Sequence, residues 1–121
     1  MKVAIVGSRK FGRERTVRLY VDTLNQEDTV VSGGAEGPDS WAESRARWRG
    51  MRCIIYPVGK VDLPPYPEGR AEYGRRAYAR NTLIAQECDR LVAFWDGESR
   101  GTENTIDEVR RLGKPVEVIG S

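Results

Sequence analysis

Three glycine-containing turns carry most of the side chains in this chain that could do chemistry. Gly7-Ser8-Arg9 follows the apolar run Val3-Ala4-Ile5-Val6, and Ser32-Gly33-Gly34-Ala35-Glu36-Gly37-Pro38-Asp39 follows Val30-Val31. Trp95-Asp96-Gly97-Glu98-Ser99-Arg100-Gly101-Thr102 follows Leu91-Val92-Ala93-Phe94. Glycines let backbone N–H groups approach an anion closely, and a helix starting behind such a turn adds a favourable dipole. The pattern therefore suits a phosphorylated or otherwise anionic ligand.

The second turn gives the strongest signal. Gly33, Gly34 and Gly37 fall within five residues ahead of a helix start, the makings of a backbone nest for an anion. Asp39, in the first turn of that helix, either complements the helix dipole or accepts hydrogen bonds from a ribose hydroxyl. In the third turn Ser99 or Thr102 is a helix cap, or Ser99, Arg100, Gly101 and Thr102 together hold a phosphate. Gly7-Ser8-Arg9 is either a plain turn or a third wall of the same site. The dinucleotide fingerprint Gly-x-Gly-x-x-Gly is absent, and so is a Gly-Lys-Thr phosphate loop.

Arg80-Asn81 adds a cation. On a helix Arg80 shares a face with Ala77, Leu83 and Ile84, and a guanidinium among apolar neighbours needs an anion. A loop carboxylate or a ligand would serve, and the ligand is the expectation. Trp95 either stacks on a base or packs in the core, while Trp41 and Trp48 read as core or interface residues.

Composition narrows the chemistry. The 121 residues contain no histidine, which removes Ser-His-Asp and Cys-His catalysis and leaves no plausible all-protein zinc site. No metal and no required cofactor are expected. Cys53 and Cys88 are far apart and read as buried free thiols. With 20 Lys+Arg against 18 Asp+Glu, the net charge of +2 does not argue for nucleic acid, which is therefore expected to be an unlikely partner. No run approaches the roughly 18 apolar residues of a membrane span, and the start does not resemble a signal peptide, so a cytoplasmic location is expected.

These residues must be positioned by a frame, and the frame is readable. Strands are expected at 3–6, 29–32, 52–56, 90–94 and 116–119. Helices are expected at 13–25, 38–50, 71–87 and 102–112. Val17, Val21 and Leu24 share one helical face, as do Ile106, Val109 and Leu112. The four prolines between Pro57 and Gly69 suggest a flap beside the pocket. Strict alternation of strand and helix over residues 1–121 implies a single α/β domain, a three-layer sandwich around a five-stranded parallel sheet. Order 3-2-1-4-5 puts the switch point between strands 1 and 4, where ligands bind in such sheets.

Taken in order, Gly7-Ser8-Arg9-Lys10-Phe11, the Ser32–Asp39 turn, Tyr73-Gly74, Arg80-Asn81, Ala93-Phe94-Trp95-Asp96 and Ser99–Thr105 resemble the YspA-type branch of the SLOG superfamily. These are Rossmann-like domains similar to the LOG cytokinin-activating proteins and to DprA. The resemblance implies binding of a nucleotide or nucleotide-derived small molecule, as sensor or processing protein, and a homodimer. Gly7, Ser8, Arg9, Gly33, Gly34, Ala35, Gly37, Asp39, Arg80, Asn81, Trp95, Asp96, Ser99, Arg100, Gly101 and Thr102 are the residues expected at the ligand. The phosphate is expected on the amides of Gly33, Gly34 and Gly101. An alternative implied by LOG is phosphoribohydrolase activity, cleavage of the N-glycosidic bond of a nucleoside 5′-monophosphate, with Arg80 aligned to the LOG catalytic arginine. LOG carries a glutamate where this chain has Thr105. Single-stranded DNA binding as in DprA is the less favoured reading.

Overall fold

The structure, a computed structural model, describes residues 1–58 and 70–120. The greater part of the expected flap, residues 59–69, lies outside the described residues, as does the side chain of Tyr73. Among the described residues strands and helices alternate: β1 (Lys2–Gly7), α1 (Glu14–Asp22), β2 (Thr29–Ser32), α2 (Pro38–Trp48), β3 (Arg52–Ile55), α3 (Arg70–Glu87), β4 (Arg90–Trp95), α4 (Arg100–Arg111) and β5 (Val116–Gly120). The sheet runs β3-β2-β1-β4-β5 with every pair parallel.

Strand residues point alternately to the two faces, and each face buries its own set. Val3 and Ile5 of β1 meet Val17 and Val21 of α1 and Ala42 and Ala46 of α2. Ala4 and Val6 meet Ile84 and Ala85 of α3 and Ile106 and Val109 of α4. A strand covered on both faces reads as a continuous apolar run, which is why β1 and β4 are so plain in the sequence. The chain leaves β1 for α1 on one side and β4 for α4 on the other. The crevice between their carboxyl ends lies at the centre of the sheet.

Several local expectations change. The inward stripe of α4 is Thr102, Thr105, Ile106 and Val109, whereas Leu112 is 39% exposed. Leu112 is the C-cap, where the chain already turns away through Gly113 at φ +73°. Trp48, at the end of α2, is 75% exposed with the Arg45 guanidinium 4.2 Å above its ring, so it is no core residue. Trp41 is partly buried against the core. Cys88 is buried and Cys53 half-buried, and burial pushes both thiols up from the ordinary cysteine value.

Candidate functional site

Packing at the carboxyl edge is tight enough to require glycine. A Cβ on Gly7 would stand 2.5 Å from the Pro38 ring and 2.7 Å from the Phe94 carbonyl oxygen, so the end of β1 lies directly on the first turn of α2 and on β4. That approach brings Asp39 to the tip of β1. Its Oδ1 accepts the Gly7 N–H at 3.1 Å, and its Oδ2 accepts the Gly33 N–H at 3.0 Å and faces the Ser32 hydroxyl at 3.3 Å. Asp39 is buried, and burial lifts its pKa to about 6 against the opposing field of Arg80 and the amides of Gly33, Gly7 and Ala35.

The amides of the glycine-rich turn do find acceptors, but these are groups of the chain itself. The Gly33 amide donates to Asp39 and the Gly34 amide to Ser32 Oγ at 3.1 Å. The expectation that these two amides carry a phosphate is corrected accordingly. The physical reason is proximity: the helix that follows delivers its own carboxylate to the turn before any ligand arrives.

The β4–α4 loop repeats the device. Asp96 Oδ1 accepts the amides of Ser99 at 2.8 Å and Glu98 at 2.9 Å, and these bonds hold its carboxyl below the usual carboxylate range. Past this loop, α4 opens with donors in reserve. The first amides of a helix have no intrahelical acceptor, and the N-cap Ser99 makes no side-chain cap bond to them. The buried Ser8 fastens this end to β1. Its hydroxyl lies 3.3 Å from Thr102 Oγ1 and accepts the Asp96 amide at 3.2 Å, while its own amide donates to the Phe94 carbonyl at 3.0 Å.

From the other side α3 supplies Arg80. Its Nη1 donates to the Gly33 carbonyl at 2.8 Å and to that of Tyr56 at 3.4 Å, and its Nε donates to Asn81 Oδ1 at 3.0 Å. Asn81 in turn donates to the Gly101 carbonyl at 3.2 Å and to Asn104 Oδ1 at 3.1 Å. The β2 turn, α3 and the head of α4 are thereby tied into one rim.

The rim encloses an open cavity of about 580 Å³. Of the residues expected at a ligand, Gly7, Arg9, Ala35, Asp39, Arg80, Asn81, Asp96, Ser99, Gly101 and Thr102 line it. Ser8, Gly33, Gly34, Gly37, Trp95 and Arg100 do not line it. Trp95 packs with the α3–α4 core and donates from Nε1 to the Ser99 carbonyl at 3.0 Å, so it braces the loop and offers the cavity no stacking surface. Val6, Lys10, Ala77, Ile84, Glu98 and Thr105 also line it. Ala77 and Ile84 were within reach of sequence reading, since they share the Arg80 helix face. The position that carries a glutamate in LOG, Thr105, spends its hydroxyl on the Gly101 carbonyl at 3.1 Å. No carboxylate is placed there for N-glycosidic hydrolysis, and that alternative finds no support. Among the described residues no cluster of three His, Cys, Asp or Glu side chains suits a metal ion, and no helix is long and apolar enough to cross a membrane.

No family model and no curated protein sequence matches the chain. Solved structures do. The DNA processing protein A (DprA) of Streptococcus pneumoniae superposes with a TM-score of 0.81 at 25% identity, over 99% of this chain and 50% of that one. DprA of Helicobacter pylori, described for its single-stranded DNA binding mode, superposes with a TM-score of 0.67 at 18% identity, over 100% of this chain and 66% of that one. The C-terminal domain of a Pyrococcus furiosus hydrogenase gives 0.53 at 15% identity, over 98% and 90% of the two chains. The chain thus has the Rossmann-like α/β fold of DprA and spans about half the length of the pneumococcal protein. The expectation that nucleic acid is an unlikely partner is overturned by this likeness to DNA-processing proteins, one of them described as binding single strands. Net charge is a poor guide here, because contact with a few phosphates needs only a few local donors and leaves little trace in a whole-chain sum.

Proposed function

We propose that the pocket at the carboxyl edge binds one nucleotide unit by its phosphate, and that single-stranded DNA is the source of that unit. The observation that carries this reading is the head of α4. First-turn amides without an intrahelical acceptor, the hydroxyls of Ser99 and Thr102, and the cations Arg9 and Lys10 converge on one cavity in a fold shared with DprA. The apolar wall of Val6, Ala77 and Ile84 is suited to the sugar or base. Placement in the YspA-type branch of the SLOG superfamily, and a homodimer, belong to the same proposal.

A free mononucleotide offers the same phosphate, so the test has two arms. Fluorescence anisotropy with a labelled oligothymidylate is competed with thymidine monophosphate. The double charge reversal Arg9→Glu/Lys10→Glu alters exposed residues only and should leave folding intact. Oligonucleotide binding that weakens at least tenfold in this variant supports the reading. Competition by the mononucleotide at equal concentration would shift the source to the free metabolite, and binding indifferent to the double reversal would refute the pocket.

A further inference from the structure

The floor of the cavity is a carboxylate. Asp39 lines it at 3% exposure. The groups facing Asp39 are the Gly7 amide at the end of β1, the Ser32 hydroxyl and the Gly33 and Ala35 amides of the β2 turn, and the Arg80 guanidinium of α3. The other charged groups lining the cavity are the exposed Arg9 and Lys10 after β1, and Asp96 and Glu98 of the β4–α4 loop. Among the described residues, Asp39 and Arg80 are the buried members of that charged set.

A phosphate entering this cavity brings a second anion into the field of one buried cation. A second anion brought near a buried carboxylate disfavours its charged form, and the more basic of the two anions takes up the proton. A phosphodiester is too acidic to do so near neutral pH. Asp96 is held ionised by the amides of Ser99 and Glu98, and Glu98 stands in water. Asp39 remains, and its surroundings have room for the proton. Ser32 Oγ lies 3.3 Å from Oδ2 and 3.5 Å from the Asp39 carbonyl oxygen. Its hydroxyl hydrogen can turn to that carbonyl and leave a lone pair to accept from the protonated carboxyl.

We propose that one proton enters the pocket from solvent together with the anionic ligand and is received by the Asp39 carboxyl, so that affinity rises as pH falls. This rests on the nucleotide-pocket reading above. The test uses calorimetry of the whole chain with oligothymidylate between pH 5.5 and 8, in pairs of buffers that differ in ionisation enthalpy. Neither thymine nor a phosphodiester titrates in that window, whereas a terminal phosphate does at about pH 6. Net proton uptake is expected, with affinity falling by up to about tenfold per pH unit once the free carboxyl has ionised. Binding without proton uptake and at constant affinity overturns the inference and leaves the pocket reading standing; absence of binding at every pH overturns both. Asp39→Asn should bind without proton uptake. Because that variant removes buried hydrogen bonds, carbon-13 NMR of the Asp39 carboxyl in the unaltered protein gives an independent check. A midpoint raised by the oligonucleotide is expected, and an unmoved midpoint overturns the inference.

Discussion

Arg80 lies against Gly33. Its Nη1 donates to the Gly33 carbonyl at 2.8 Å, and a Cβ built on Gly33 would overlap the guanidinium. The glycine is therefore needed less for a ligand's approach than for the arginine's. Gly33→Ala must push Arg80 out of its buried seat, at a cost of about 1–3 kcal/mol typical of overpacking, and nucleotide affinity should fall with it. Gly101→Ala is the matched control, since a Cβ there meets nothing within 4 Å. Urea denaturation of the two variants should separate them clearly; equal stabilities would show that the Arg80–Gly33 contact is not formed.

Asp39 sets a pH dependence of stability. Its folded pKa of about 6 lies above the ordinary 3.8, so the native state holds the proton more tightly than the unfolded chain. The group thus contributes most below its unfolded value. Its contribution declines as pH rises from about 4 to about 6 and is flat above. The span corresponds to about 3 kcal/mol as an order of magnitude. Unfolding free energies at pH 4.5 and 7 should differ less for Asp39→Asn than for the unaltered protein. An unchanged difference would assign the dependence to other groups.

Asn81 is a brace rather than a ligand contact alone, because it accepts from Arg80 and donates to the head of α4. Asn81→Ala leaves the Arg80 Nε–H without that acceptor. A loss of about 1–3 kcal/mol is expected, read by thermal or urea denaturation. Asn81→Asp keeps the acceptor and should recover part of it; identical losses in both variants would argue against the brace.

Trp48 provides the contrasting case. It is three-quarters exposed and touches Arg45 across its ring. Trp48→Ser should change monomer stability by no more than about 0.5 kcal/mol. If two copies pair through the outer face of α2, sedimentation should show the variant dissociating at higher concentration than the parent. Identical sedimentation would direct the search to the outer face of α3.

Much of this frame was legible. Val3 to Val6 and Leu91 to Phe94 are continuous apolar runs because both faces of a central parallel strand are covered, and β2 begins and ends where its residues led one to place it, at Thr29 and Ser32. Strict alternation then left the strand order nearly determined. The use of the glycine-rich turn was not legible. The sequence shows Gly33, Gly34 and Asp39 close together, but a phosphate and a carboxylate satisfy the same amides, and only the close approach of α2 to the tip of β1 decides for the carboxylate. Trp95 stayed open between stacking and packing for a similar reason, since a tryptophan beside a pocket and one bracing its loop have the same sequence context. Leu112 kept the apolar spacing of α4 yet fell at the cap, where periodicity no longer governs direction.

The central claim is that a nucleotide phosphate sits on the head of α4. The most direct measurement is an amide NMR titration of the labelled protein with oligothymidylate. Saturable shifts centred on Ser8, Arg9, Gly101 and Thr102 are the expected result, with the outer ends of α1 and α2 undisturbed. Shifts centred on Arg45 and Trp48 instead, or none at the head of α4, would contradict the account.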